Sequence, residues 1–340
     1  MGAEKVLVLY NYSQHLVKGE PKDLLAEHGV IACAKAVAAA LREAGYTVEV
    51  VAFSTDIEAA LAPYPPARGE GGSGGWVVFN LGEGLEGRLF EEARIAWALE
   101  AMGYRFTGSP GEAIALSTNK AKAKEILARA GVPTPPWKLL RDPAEVDSWQ
   151  LDGPVIVKPV SEDASIGIGA GSVVTDPSQL KERVAYILNR YRQAALAEKF
   201  IPGREFNVSL WGSEPEILPL AEVDFSAFAN PLERIVSFAA KWEPDSFEYK
   251  NTPVICPAVV DPELKGKIEE VAKKAWHAIG CRGYARVDMR VDPEGNPYVL
   301  EVNCNPDLSP DAGFYRAAKA AGYTYTEMVV RILRMAVDGV

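Results

Sequence analysis

Asp288, Glu301 and Asn303 are the residues whose types and spacing point most directly to chemistry. The stretch that holds them reads as a β-hairpin. Val287, Met289 and Val291 alternate with polar neighbours, Asp292 to Asn296 is dense in turn formers, and Tyr298-Val299-Leu300 resumes an apolar run. Strand alternation puts Glu301 and Asn303 on one face. A buried carboxylate in such a hairpin is costly unless something neutralises it. Hard oxygen donors of this kind suit Mg²⁺, which takes one or two carboxylates and shares itself with substrate phosphates. The bland alternative is an edge hairpin whose acids face water. Arg286 lies two residues before Asp288 and shares its face. It is a candidate to stabilise a developing oxyanion, or simply to form an ion pair with Asp288.

Upstream, Val155-Ile156-Val157 makes a buried strand that Lys158 ends. The small, flexible run Ser161 to Gly171 follows, then Ser172-Val173-Val174. Backbone N–H groups and a hydroxyl in such a loop can close over phosphates. An ordinary hairpin turn is the alternative, but this loop is long for that task. A lysine at a strand mouth beside a glycine flap favours a nucleotide. Glu198 and Glu205 bracket a tight turn in Leu196 to Leu210, where a carboxylate and nearby backbone can hold an adenine and its ribose. Lys120 stands in the first turn of a helix from Ser117 to Ala130, opposing the helix dipole, which is unfavourable unless the lysine is used elsewhere or solvated. An irregular, charged stretch from Ala239 to Thr252, including Lys241, reads as a functional loop.

The elements that must position these groups begin with apolar strands at residues 5–10, 47–53 and 76–80 around a helix at 26–44, a βαβ pattern. Open α/β sheets bind ligands beyond the C-terminal ends of their strands, so Asn80, Glu83, Glu86 and Arg88 are candidates for a substrate rim. A glycine-rich turn with a capping acid explains them equally well. The glycine-rich run Gly69 to Gly75 has no helix start directly after it and is read as a surface loop. Further helices are expected at 89–102, 177–193, 262–279 and 325–337, with a loop at 305–314. The expected division is 1–108, 109–198 and 199–340.

At 340 residues the chain can bury a large core, and its net charge of −10 argues against nucleic acid or an anionic membrane as the main partner. No apolar run approaches a membrane span and no signal-peptide pattern opens the sequence, so a cytoplasmic location is expected. Four cysteines without a CxxC pair and three histidines do not make a zinc site, and the cysteines are expected to be reduced.

Taken together, VIVKP (155–159), SEDASIGIG (161–169), LAEKFIPGREFNV (196–208) and the pair ARVDMR and LEVN (285–290, 300–303) resemble the ATP-grasp superfamily, and within it the D-alanine–D-alanine ligases. The likeness runs from NLGEGLEGR and FTGS through TNK to the tail MVVRILRMA. It implies a three-domain α/β (α+β) ATP-grasp fold, with an N-terminal open parallel α/β domain and ATP clasped between the central and C-terminal domains. It implies Lys120 and Lys158 on the phosphates, with Ser165 and Gly167 in the phosphate loop. Glu198, Lys199 and Ile201 would hold adenine, Glu205 ribose, and Lys241 would approach the γ-phosphate. Asp288, Glu301 and Asn303 would hold two Mg²⁺ ions, with Mn²⁺ as a substitute, and Arg286 would sit at the oxyanion of a tetrahedral intermediate. The implied reaction phosphorylates a small-molecule carboxylate and lets an amine displace the phosphate. A homodimer is implied by the likeness alone.

The departures concentrate in the amino-acid half. Asn80 stands where these ligases carry histidine, Trp242 where they carry tyrosine, and Ala164-Ser165 where they carry two serines. Their N-terminal acid has no clean counterpart, since Glu27 falls about two residues early. Cys304 to Leu308 and Ala312-Gly313 replace the run that grips the second D-alanine. The expectation is therefore a related carboxylate–amine ligase with other substrates. The competing readings are an authentic D-alanine–D-alanine ligase, a non-catalytic nucleotide-binding protein on the same fold, and a carboxylase of the biotin-dependent kind.

Overall fold

A computed structural model describes residues 5–11, 16, 18–67, 74–83, 90–148 and 153–338. The chain opens with β1 (Lys5–Asn11), α1 (Leu24–Glu43), β2 (Thr47–Phe53), the short α2 (Ile57–Leu61), β3 (Trp76–Asn80) and α3 (Glu91–Ala101). β1 pairs in parallel with both neighbours, giving the order β2-β1-β3. Val6 to Leu9 have no exposed surface, as expected of a strand covered on both faces.

A helical pair, α4 (Gly111–Thr118) and α5 (Lys120–Arg129), follows. The sequence predicts one helix from Ser117. Instead Asn119 takes an extended conformation and its side chain accepts a hydrogen bond from the Lys122 amide. This cap starts α5 at Lys120 and re-aims the two lysines that come next on its buried stripe.

The middle of the chain supplies β4 (Trp137–Leu140), β5 (Val155–Pro159), β6 (Val173–Val174), α6 (Pro177–Tyr191) and β7 (Ala195–Lys199). These strands form an antiparallel sheet in the order β4-β7-β5-β6. Its core is its own, built from Val155, Val157, Leu180, Val184, Ile187 and Ala197. β7 runs past the expected boundary at 198, because Lys199 still pairs with Val155. The chain leaves the sheet through Gly203, whose φ is +116° and where a Cβ would stand 2.2 Å from the Val291 carbonyl oxygen. Only glycine fits that turn.

The remainder comprises β8 (Arg204–Gly212), β9 (Glu216–Ile217), β10 (Ala221–Val223), α7 (Phe238–Trp242), α8 (Phe247–Lys250) and β11 (Val254–Ile255). After these come α9 (Pro262–Ile279), β12 (Gly283–Val291), β13 (Pro297–Asn303), α10 (Gly313–Ala320) and α11 (Tyr325–Asp338). The six-stranded sheet runs β11-β10-β8-β12-β13, with β9 on β8. The stretch read as irregular holds α7 and α8, started by side-chain caps from Ser237 and Ser246.

The expected break near residue 108 does not separate two cores. Leu7 and Val78 of the parallel sheet share one cluster with Phe206, Val287 and Met289 of the large sheet. On the other face Val8 and Phe79 join Trp211, Tyr284 and Ile332. All four cysteines are free thiols, although Cys281 and Cys304 approach to 3.6 Å. No helix among the described residues is long and apolar enough to cross a membrane.

Candidate functional site

β8 and β12 alternate, and β13 does so on either side of one bulge, and the consequence is a sheet with one apolar and one ionic face. Phe206, Val208, Val287, Met289 and Val302 turn into the core. The opposite face carries three cross-strand rows. Glu205 stands beside Arg290, Asn207 beside Asp288 and Glu301, and Ser209 beside Arg286 and Asn303. The register shifts after Asp288, so that Met289 pairs with Val299 and Leu300 is the extra residue. This bulge returns Val299 to the core while Glu301 and Asn303 keep the polar face. The hairpin and shared faces read from the sequence are those observed.

That face forms one wall of a cavity of about 480 Å³. The opposite wall is the mouth of the antiparallel sheet, with Lys158, Glu198, Lys199 and Ile201. Its lid is the loop that follows Lys158. Ala164 and Ser165 both take left-handed backbone conformations, strained for residues with a side chain. Three hydrogen bonds fasten this loop to α7 and the segment before it. Ser165 Oγ donates to the Val236 carbonyl at 2.8 Å, Trp242 Nε1 to the Ala164 carbonyl at 3.0 Å, and the Phe238 amide to the Ile168 carbonyl at 2.8 Å. Trp242 thus acts as a latch on the lid from beside Lys241.

The charges are arranged in pairs. Arg286 holds Asp288 through two bonds of 2.7 Å, and Asn207 donates to the same carboxylate at 2.8 Å. The ion pair weighed for Arg286 is therefore present, and Asp288 keeps that guanidinium charged despite burial. Burial would raise Glu301, but Lys120, Lys241, Lys158 and Arg286 hold it down to about 2. Lys241 has its pKa lowered by burial and by Arg286, against the pull of Glu301, Asp288 and Asp163. Arg290 donates to Glu205 at 3.0 Å and to the Ile201 carbonyl at 2.8 Å, yet burial still raises Glu205.

Several expected residues have other partners. Glu198 is fully buried, with Lys158 at 2.5 Å on one oxygen and Lys124 at 2.8 Å on the other. It is the shared counter-ion of two lysines, whose charges outweigh burial and lower its pKa. Lys120 donates to the Glu162 carbonyl and stands 3.7 Å from Glu301, outside the cavity lining. Gly167 also lies outside it: a Cβ there would meet Pro159 at 2.7 Å and its φ is +76°, so this glycine serves the packing of the lid. Asn80 is buried as a turn cap, its oxygen accepting from the Gly82 amide at 3.0 Å, while Glu83 does line the cavity. Glu86, Arg88 and the side chain of Glu27 lie outside the described residues.

Sequence reasoning missed Lys124. The signal was its spacing: residues 120, 121, 123, 124 and 127 form the buried stripe of α5, so both lysines point inward.

A donor set of two carboxylates and an amide oxygen fits Mg²⁺. Asp288 and Glu301 face each other across the ladder, Glu301 is ionised, and Asn303 is the residue next in line on the same strand face. No group of three or more His, Cys, Asp or Glu able to hold a metal occurs among the described residues.

The model of the family described as D-ala D-ala ligase C-terminus matches residues 126–334. A D-alanine–D-alanine ligase of Desulforudis audaxviator is 32% identical over 312 residues, covering 89% of this chain and 92% of that protein. The chain belongs to the D-alanine–D-alanine ligase family. An uncharacterized protein, y4sG, of Sinorhizobium fredii is 34% identical over 308 residues, covering 89% of this chain and 87% of that one. A crystal structure of the D-alanine–D-alanine ligase from Bacillus anthracis complexed with ATP superposes with a TM-score of 0.73 at 21% identity, covering 99% and 98% of the two chains. The fold is thus ATP-grasp, and the chain is an ATP-dependent ligase that forms C–N bonds.

Proposed function

We propose that this ligase joins a small carboxylate to an amine through an acyl phosphate, using Mg²⁺-ATP, and that its substrates are not two D-alanines. The reading rests on one observation above all. The ionic face of β8, β12 and β13 meets Lys158, Lys241 and the latched lid around one cavity, which Glu83, Glu92, Asp307, Asp311 and Arg316 also line.

In this reading the chain works by position and charge. Lys158 and Lys241 meet the phosphates, with Lys120 behind them steadying Glu301 and the lid. Ser165 offers the lid to the phosphates, and Gly167 lets it pack. Lys199 and Ile201 border the adenine, with Glu198 behind them, and Glu205, oriented by Arg290, takes the ribose. Asp288, Glu301 and Asn303 hold Mg²⁺, which when bound neutralises phosphoryl oxygens. Arg286 releases part of its hold on Asp288 to face the oxyanion as the amine adds. Among the other lining groups Arg316 is suited to a substrate carboxylate, and Glu83 to an amine. Residues 1–108, 109–199 and 200–340 are the working units, and a homodimer is the assembly carried over from the family.

Oxygen transfer tests the acyl phosphate. With ¹⁸O in the substrate carboxylate, one labelled oxygen is expected in each inorganic phosphate released. Unlabelled phosphate formed alongside the amide would contradict it. The names of the relatives favour a second reading, condensation of two D-alanines. Trp242 and Ala312-Gly313, which line the cavity, weigh against it.

A further inference from the structure

Lys124 is a buried charge with no place at the cavity wall. Its side chain is 1% exposed, and it lies one helical turn beyond Lys120 on α5. The ammonium meets Glu198 Oε2 at 2.8 Å and donates to Thr134 Oγ at 2.7 Å. Thr134 in turn donates to the Val299 carbonyl at 2.9 Å, and the Val299 amide donates to the Pro133 carbonyl at 2.8 Å. Val299 is the residue beside the bulge, two before Glu301. One side chain therefore links the strand that carries Glu198 to the strand that carries Glu301.

The electrostatics give this link a purpose. Glu198 carries one negative charge and shares it between Lys158, at 2.5 Å, and Lys124, at 2.8 Å. The trio keeps one net positive charge. Without Lys124, Lys158 and Glu198 would form a neutral pair, and a neutral pair attracts a polyphosphate weakly.

We propose that Lys124 is a positioning residue for nucleotide binding: by sharing Glu198 it leaves the charge of Lys158 free for the phosphates, and through Thr134 and Val299 it keeps Glu198 in register with Glu301. The inference rests on the nucleotide reading of the cavity and adds to it a residue that touches no substrate. A mere packing role would weaken every ligand of the site alike, whereas charge sharing acts on the phosphates alone.

The test is the dissociation constant of Mg²⁺-ADP and of adenosine, measured by calorimetry and by saturation-transfer NMR respectively. Lys124→Gln keeps a donor toward Glu198 and Thr134 while removing the charge, and it leaves Lys158–Glu198 balanced. Its Kd for ADP is expected to rise at least about tenfold, while that for adenosine stays within about twofold. Adding Glu198→Gln, which keeps an acceptor oxygen but frees Lys158, is expected to bring ADP affinity back to within about threefold of the parent. Unchanged ADP affinity in Lys124→Gln, equal losses for both ligands, or no recovery in the double variant would overturn the proposal. If the single variant does not fold, the double variant decides: binding within about threefold supports charge sharing, and a loss of about tenfold or more overturns it. A parent protein that does not bind Mg²⁺-ADP would overturn the nucleotide reading, and this inference with it.

Discussion

Glu301→Gln is expected to release ADP at least about a hundredfold more slowly than the parent chain while keeping its fold. Glu301 is the acid on which the site's positive charges converge: burial opposes its ionisation, yet Lys120, Lys241, Lys158 and Arg286 keep it ionised down to about pH 2. Glutamine keeps the shape and one oxygen but loses the charge that a hard cation requires. The signature that separates metal loss from general damage is binding with and without Mg²⁺. Metal-free ADP should still bind the variant, since removing an anion from among four cations does not repel phosphates. The tightening by Mg²⁺ seen in the parent should disappear. A variant with full turnover, or one whose ADP affinity still responds to Mg²⁺ as in the parent, would remove Glu301 from the metal set.

The second large effect is on stability. Glu198→Ala removes the one carboxylate that contacts both Lys124 and Lys158, leaving them only the more distant charge of Glu301, and Lys124 is 1% exposed. Removing one partner of a buried ion pair costs ~3–5 kcal/mol, and here two charges lose the same partner. The unfolding free energy obtained from urea titration should therefore fall by an amount at the upper end of that range. The pH dependence has a definite sign. Burial lowers Lys124 to about 8 even with Glu198 present, so between there and the ordinary lysine value the unfolded chain binds more protons than the fold. Stability contributed by this group rises with pH across that window, and the penalty is full below it. In the alanine variant the folded-state value drops further, so the gain with rising pH begins at a lower pH than in the parent. A loss below about 1 kcal/mol would show that the two lysines find other compensation.

How much of this was legible in the chain depends on which forces set each feature. The hairpin with its polar face was, because alternation of Val287, Met289 and Val291 with Arg286, Asp288 and Arg290 is a local property with a period of two. The bulge at Leu300 was not, since a register shift is set by both strands and by the core behind Val299. Lys158 at its strand mouth and the lid after it were also local signals. The partners of Glu198 were not. Its carboxylate is claimed by Lys124, which sits more than seventy positions earlier on the buried stripe of another helix. Helices α7 and α8 were not legible because five- and four-residue turns carry no periodicity, although Ser237 and Ser246 mark their starts. The break expected near residue 108 follows composition, whereas the cores follow packing, which joins Leu7 to Val287. Asn80 could be read as rim or turn cap from its neighbours. Folding assigns it to the turn because Gly82 offers an amide within reach.

The most direct test of the central claim is ADP release by the purified chain with Mg²⁺-ATP, run against a matrix of paired D- and L-amino acids and small carboxylates, with products weighed by mass spectrometry. The account predicts a condensed product, formed one for one with ADP, from a pair other than two D-alanines. ADP release with D-alanine alone, yielding its dimer, would contradict it.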